Sequence, residues 1–380
     1  MKICIVARNI PDDGKGNFEF DQAMALKKYG HQVCVISMDL RSIRRKRKFG
    51  ISHCIFDGID LYRCSFPIGA VGTDLMNYAG SRLFRMVYEK AKKEVGPFDI
   101  INTHFLEISA MVAIALKNHL NEKTPLIVTE HSSLVNKSKD EIDKKTQKNA
   151  KLAYSSADCV IAVSESLQKK ISDNFNVKCQ VVYNVFDGTL FSRTYREKKV
   201  CDGEIFTFVS AGNLTENKRM GLLVEAFATA FPEKTCMLYI FGDGPERENL
   251  RRQIENCGMC DNIVLCGKKS RSELAEFYKK ADAFVLLSKN ETFGVAYIEA
   301  MACGLPVIAS YSGGPESFIN DENGIIVDDD ICKAAAAINF IKDNISAYNS
   351  ESIAAYANRI CSSDIIAEKL TSIYTKVAET

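Results

Sequence analysis

Short apolar, β-branched runs alternate with segments of helical period along the whole chain. "KICIVA", "HQVCVIS", "DIINTH", "PLIVTE" and "DCVIAVS" predict strands in the first half; "FTFVSAG", "CMLYIFG", "NIVLCG", "AFVLLS" and "PVIAS" predict strands in the second. Their near-continuous hydrophobicity implies burial on both faces, hence parallel sheets covered by helices. Helical patterns lie between them at 18–29, 218–230, 246–256, 271–280 and 294–303. Such alternation in both halves predicts an α/β protein made of two doubly wound, Rossmann-like domains. The polar, aperiodic stretch 185–203 separates the strand series. It sets the expected domains at 1–190 and 191–361, with a helical tail at about 362–380 packing back on the first.

Composition narrows this picture. A length of 380 residues exceeds one ordinary core and suits two. The apolar stretches near 108–116 and 292–309 are interrupted by polar residues or glycines, short of the ~18 uninterrupted residues a spanning helix needs. "MKICIVARNIPDD" reads as a first strand rather than a signal peptide. Fourteen scattered cysteines, often inside strands, suggest reduced core thiols and a cytoplasmic setting. Cys257 and Cys260 have CxxC spacing but no second ligand pair, so packing at a helix end capped by Gly258 is expected. The net charge of +1 argues against a nucleic-acid partner. "RSIRRKRK", Arg41 to Lys48, still concentrates six cations in eight positions, either as a solvated loop or as a binder of anions or anionic lipid.

In open parallel sheets ligands bind at the carboxyl ends of strands. That rule selects the loops "DDGKGN", "TEHSS", "GNLTENK", "GDGP", "GKK", "NETFG" and "SGGPE", together with His104. A nicotinamide-type GxGxxG fails at both candidate loops, where Glu19 and Arg247 stand in place of the third glycine, and no Walker A lysine loop is present. The Gly242–Pro245 segment is equally a turn into a helix near Glu246. Asp328 to Asp330 has a metal-like DxD spacing, but a helix start favours acids for dipole reasons alone. Catalysis without a bound metal is therefore expected.

Glu299 is the odd residue of the apolar helix that Gly294 opens and Gly304 closes. A buried carboxylate without a partner is costly. Its partner is either a neighbouring Lys or backbone amide, or a pair of ligand hydroxyls such as a ribose diol. Phe293-Gly294 at the helix entrance leaves backbone N–H groups open to a phosphate.

"ETFGVAYIEAMACGLPVIAS" closely resembles the E-x7-E segment of retaining, nucleotide-sugar glycosyltransferases of the GT-B fold, particularly glycosyltransferase family 4. "GNLTENKRMGLLVEAF", "FGDGPERENL", "FYKKADAFVLLSKNETFG", "SGGPESFI" and "NGIIV" follow in family order. "GNFEFDQAMALKKYGHQVCVIS", "TEHSS" and "AVSESL" resemble its amino-terminal segments. The resemblance implies two Rossmann-like domains facing across a cleft. It further implies that Glu299 grips the ribose, while Glu291, with Thr292 beside it, lies at the donor sugar. The Phe293 and Gly294 amides approach the sugar or diphosphate, and Lys218 neutralises the leaving diphosphate. His131 touches the donor sugar, Gly16 and Asn17 bring backbone to the diphosphate or acceptor, Gly242 belongs to the donor-side turn, and Gly267 and Lys268 face the base. Two positions depart from the family: Asn213 stands where Arg is common, and Gly16-Asn17 replaces Gly-Gly. An Asn cannot supply a guanidinium's charge or fork, which makes Arg219 a candidate substitute. Asn17 tolerates unusual backbone angles.

The expected function is retaining transfer of a sugar from a nucleotide diphosphate donor, UDP-linked first and GDP-linked next, to a glycan or lipid-linked glycan in cell-surface polysaccharide synthesis. Attack from the face the diphosphate leaves needs no protein nucleophile, no metal and no cofactor. The alternatives are a nucleotide-sugar epimerase of the same fold, a glycoside hydrolase using two carboxylates, and a non-catalytic nucleotide-sugar-binding protein. Arg41 to Lys48 follows a strand, which makes peripheral attachment to an anionic inner membrane face a further expectation.

Overall fold

The computed structural model describes residues 1–10, 17–41, 48–68, 72–120, 123–193 and 205–379. The chain divides into two compact units, Met1–Val185 with Ser363–Thr380 and Phe186–Ser362. Part of the expected seam, 194–203, lies outside the described residues.

The first unit holds an eight-stranded sheet: β1 (Lys2–Ala7), β2 (Gln32–Asp39), β3 (Gly50–Phe56), β4 (Ile59–Ser65), β5 (Ile100–His104), β6 (Leu126–Glu130), β7 (Cys159–Ala162) and β8 (Cys179–Val181). Its order is β3-β4-β2-β1-β5-β6-β7-β8, with every pairing parallel except the β3–β4 hairpin. Its helices are α1 (Phe18–Lys28), α2 (Thr73–Val95), α3 (Leu106–Asn118), α4 (Lys144–Ser156) and α5 (Glu165–Phe175). Ile3, Ile5, Ile100, Ile127 and Ile161 of the sheet pack in one core with Phe20 and Leu26 of α1.

The second unit holds six parallel strands: β9 (Phe206–Ala211), β10 (Cys236–Phe241), β11 (Ile263–Gly267), β12 (Ala283–Leu286), β13 (Val307–Ser310) and β14 (Gly324–Val327). They are ordered β11-β10-β9-β12-β13-β14. Around them lie α6 (Met220–Ala230), α7 (Arg247–Asn256), α8 (Arg271–Tyr278), α9 (Val295–Ala302), α10 (Ile331–Asp343) and α11 (Ser350–Cys361). The last helix, α12 (Ser363–Ala378), belongs to the first unit. Its Ile366, Leu370 and Tyr374 join that core, and Asn102 Nδ2 of β5 donates to the Tyr374 hydroxyl at 2.6 Å.

All ten strands legible in the sequence are present, and β3, β4, β8 and β14 add to them. Gly258, at φ +65°, ends α7 beside Cys257. Among the described residues no helix is long and apolar enough to cross a membrane.

Candidate functional site

In the second unit the strand order reverses between β9 and β12, so the loops leaving these neighbours diverge and open a crevice at their carboxyl ends. The loop after β9 ends in a 3₁₀ turn at Glu216–Lys218. It is stapled to the loop after β12: the Lys289 N–H donates to Asn217 O at 2.7 Å, and Asn217 Nδ2 donates to Asn290 O at 3.0 Å. The staple brings Lys218 Nζ onto Glu291 Oε1 as an ion pair whose side chains are 21% and 11% exposed. The Glu291 backbone is fixed by its N–H donating to Ser312 O at 2.9 Å and by a bridge to Gly313. A Cβ at Gly314 would stand 2.5 Å from the Phe293 backbone, so the "SGG" loop requires glycine to lie this close. Glu316 closes that loop by accepting the Ser312 and Gly313 N–H groups at 2.9 Å. The Phe293 ring is buried against Phe318, Thr292 is half-buried, and Gly294, at φ +94°, starts α9.

Glu299, in the middle of α9, has a side-chain partner: Arg271 donates to Oε1 from Nη2 at 2.7 Å and from Nε at 3.2 Å. Of the two kinds of partner considered for this buried carboxylate, a protein side chain is present, an arginine in place of a lysine or a backbone amide. The physical reason is the cost of burying a lone charge, which a guanidinium offsets. Sequence reading missed Arg271. Its one signal is a cation in the first turn of a helix, where the dipole favours acids.

The suggested role of Arg219 needs correction, and Asn17 can be placed. Arg219, the suggested substitute for the missing diphosphate arginine, is already committed. Its Nε donates to Leu287 O at 2.8 Å, its Nη2 to Ser288 O at 3.1 Å, and its Nη1 pairs with Asp329. It braces the β12 loop. Asn17 has an ordinary extended backbone (φ −128°) and serves as the N-cap of α1, its side chain accepting the Glu19 and Phe20 N–H groups. Gly16 lies outside the described residues.

The remaining donor-side positions are fixed by backbone contact. Gly242, at φ +139°, donates its N–H to Gly267 O at 2.9 Å, and a Cβ there would stand 1.9 Å from Gly212 O. Gly267 (φ +69°) ends β11, while Lys268 and Asn213 are exposed. Asp330 caps α10 by accepting the Lys333 N–H at 2.8 Å, and Asp328 pairs with Lys333 at 2.5 Å.

In the first unit the reversal falls between β1 and β5. His104 ends β5, and His131 follows β6 next to it. His104 Nδ1 and His131 Nε2 are 2.9 Å apart, with the rings stacked at 14°. Phe18 and Phe105 enclose His131 at centroid distances of 4.7 and 5.2 Å. Burial pushes His104 down to about 3. Burial, followed by the charges of His104 and Arg8, holds His131 well below the ordinary imidazole range. Both rings are neutral at pH 7. Glu130 beneath them accepts the His131 and Ser132 N–H groups at 3.0 and 2.7 Å and the Tyr154 hydroxyl at 2.8 Å. Burial outweighs those bonds and raises its carboxyl to about 7. Glu19, which bonds the Arg8 N–H at 2.9 Å, is raised to about 7 by the same cause.

The basic run is described only at its ends. Arg41 forks onto Asp39, with Nε–Oδ1 at 2.9 Å and Nη2–Oδ2 at 2.8 Å, Lys48 is exposed, and 42–47 lie outside the described residues.

Residues 14–189 match the family model described as Glycosyltransferase Family 4, and residues 191–359 match that of Glycosyl transferases group 1. Among curated relatives, N-acetyl-alpha-D-glucosaminyl L-malate synthase of Bacillus anthracis is 28% identical over 255 residues, 64% of this chain and 66% of that protein. The match thus spans just under two thirds of that relative's length. Among solved structures, sucrose-phosphate synthase from Thermosynechococcus elongatus superposes with a TM-score of 0.79 at 20% identity, covering 98% of both chains. Anabaena HepE, solved in complex with UDP and glucose, gives 0.75 at 20% identity, covering 99% of this chain and 100% of that one. At these identities the superpositions speak for the fold alone, which is GT-B.

Proposed function

The chain carries a Glycosyltransferase Family 4 domain followed by a Glycosyl transferases group 1 domain, and on that premise we propose that it transfers a sugar, with retention, from a nucleoside diphosphate donor to an acceptor hydroxyl. The observation that carries this reading is the Lys218–Glu291 pair at the β9/β12 reversal. A cation suited to a diphosphate and a carboxylate suited to sugar hydroxyls are held side by side by stapled loops. Donor binding exchanges partners: the diphosphate takes Lys218, and the sugar takes Glu291. The acceptor oxygen bonds to the anomeric carbon as the bond to the phosphate oxygen breaks. The acceptor proton passes to the departing diphosphate, whose charge Lys218 stabilises. The Phe293 and Gly294 amides and Thr292 face the same donor, and Glu299 takes the ribose diol. Asn213 and Gly242 are assigned to the diphosphate side, with Gly267 and Lys268 assigned to the base. In the first unit, neutral His131 offers the sugar a hydrogen bond without a competing charge. Lys218 takes the charge-neutralising part, so no metal is assigned.

UDP is the favoured nucleotide of the donor, in keeping with the UDP held by HepE; GDP is next. The proposed acceptor is a glycan or lipid-linked glycan reached from the cytoplasmic face of a membrane. Arg41 is withdrawn to Asp39, which leaves Arg44 to Lys48 for that contact, and liposome co-sedimentation unaffected by neutralising those five would remove it. The deciding experiment is a thermal-shift panel of UDP, GDP and ADP sugars, followed by product analysis with and without glycan acceptors. A stabilising donor that is consumed only with acceptor supports transfer. Donor isomerised without acceptor points to an epimerase, and tight binding without turnover points to a sensor.

A further inference from the structure

We infer that Arg271 is a positioning residue for Glu299, holding its carboxylate ionised and aimed so that it can take both hydroxyls of a ribose. The inference rests on the ribose reading above. Arg271 opens α8 behind the Ser270 N-cap, in the turn where the helix dipole disfavours a cation. Something must offset that cost, and two contacts do. The guanidinium grips Glu299 Oε1 through Nη2 and Nε at 2.7 and 3.2 Å, and its Cζ lies 5.4 Å from the centroid of the buried Phe191 ring. At 17% exposure the side chain is wedged in place and is no free arm for phosphate.

A second polar group comes from the same helix face. Tyr278 lies seven residues after Arg271, two turns along α8. Its hydroxyl is fully buried and has no hydrogen-bond partner among the described residues. The charge of Glu299 acts on it, adding to burial in raising its pKa. Helix α8 thus sets the Arg271 guanidinium on the carboxylate and places the buried Tyr278 hydroxyl within reach of its charge. An ionised carboxylate is acceptor-only and can take two diol O–H groups at once, whereas a protonated one must give up an acceptor position. Removing the guanidinium would leave a buried charge that protonates or swings away. Either change costs ribose recognition before it costs the fold.

The test is the ratio of dissociation constants for UDP and 2′,3′-dideoxy-UDP, measured by titration calorimetry on the full chain. Two hydrogen bonds to a charged acceptor set a wild-type preference for UDP of about 100-fold. Glu299→Gln is expected to reduce it to about tenfold or less, and Arg271→Met to do the same. Arg271→Lys, which keeps the charge but loses the fork, should fall between and is the informative variant if the Met form does not fold. A ratio that collapses in Glu299→Gln yet stays near 100-fold in a folded Arg271 variant overturns the role of Arg271 while leaving the ribose reading intact. A wild type without preference, or a Glu299→Gln ratio that does not move, overturns the ribose reading and this inference with it. A merely structural ion pair would alter thermal stability and leave the ratio alone.

Discussion

At the reversal of the second sheet the side chains are charged and paired, Lys218 with Glu291 and Arg271 with Glu299. At the reversal of the first, they are buried and held toward neutrality: two imidazoles pushed down, two carboxyls pushed up to about 7. Lys218 and Glu291 hang from loops leaving the two strands where one order turns, and His104 ends a strand where the other does, so topology alone does not choose between charge and neutrality. Solvent access does. The second unit leaves its cations partly wet, where opposite charges persist as pairs that an anionic ligand can exchange. The first excludes water from His104, Glu130 and Glu19, and there an ionised form costs more than its hydrogen bonds return.

Four substitutions test that contrast. The largest effect is expected for Glu291→Ala, with transfer falling on the order of 10³-fold or more; a radiolabelled-sugar assay that finds unchanged turnover would break the assignment of chemistry to the second unit. Lys218→Ala should lower kcat by roughly 10²–10³-fold, the scale of a lost charge-stabilising group, and single-turnover kinetics would show whether bond cleavage has slowed. Glu130→Gln addresses the first unit through stability. Glu130 binds its proton more tightly folded (about 7) than unfolded (4.5), so its contribution is full below pH 4.5 and is lost as pH rises through 7. Raising the pH from 5 to 8 should cost wild type about 2–3 kcal/mol that the Gln variant keeps. Denaturant titrations at both pH values check this, and equal pH slopes in the two proteins would mean that the carboxyl is ionised when folded. His104 works in the opposite sense, contributing above 6.5 and losing it as the pH falls toward 3, so acid destabilisation should persist in the variant. The smallest effect is expected for His131→Ala, about tenfold in transfer with UDP affinity unchanged, because UDP lacks the transferred sugar that His131 is assigned to contact. Weakened UDP binding would blur the separation between the two clusters.

The fold was legible where burial on both faces writes a continuous apolar run, as in "CMLYIF" or "PLIVTE". It was not legible in β3 and β4, an edge hairpin whose mixed exposure dilutes the pattern, nor in the three-residue β8. In the site, single residues could be picked out but their partnerships could not. Lys218 and Glu291 are 73 positions apart, Arg271 and Glu299 are 28, and no local rule links such pairs. Arg219 shows the converse: beside the expected cation it reads as a ligand residue, yet the structure spends its guanidinium on carbonyls. His104 was noticed as a residue at a strand end, while its stacking on His131 emerges only when β5 and β6 are laid side by side.

Helix α12 gives the first unit a peculiar timetable. Its sheet is encoded before residue 186, but Ile366, Leu370 and Tyr374, which seal the core over α1 and cap Asn102, are encoded after the whole of the second unit. On a ribosome the second unit has all its sequence before the first has its final helix, so the half made first is the half completed last. Removing α12 would therefore unseat the first unit and spare the second. A fusion partner or degradation signal placed after α12 would act first on the unit that carries His131.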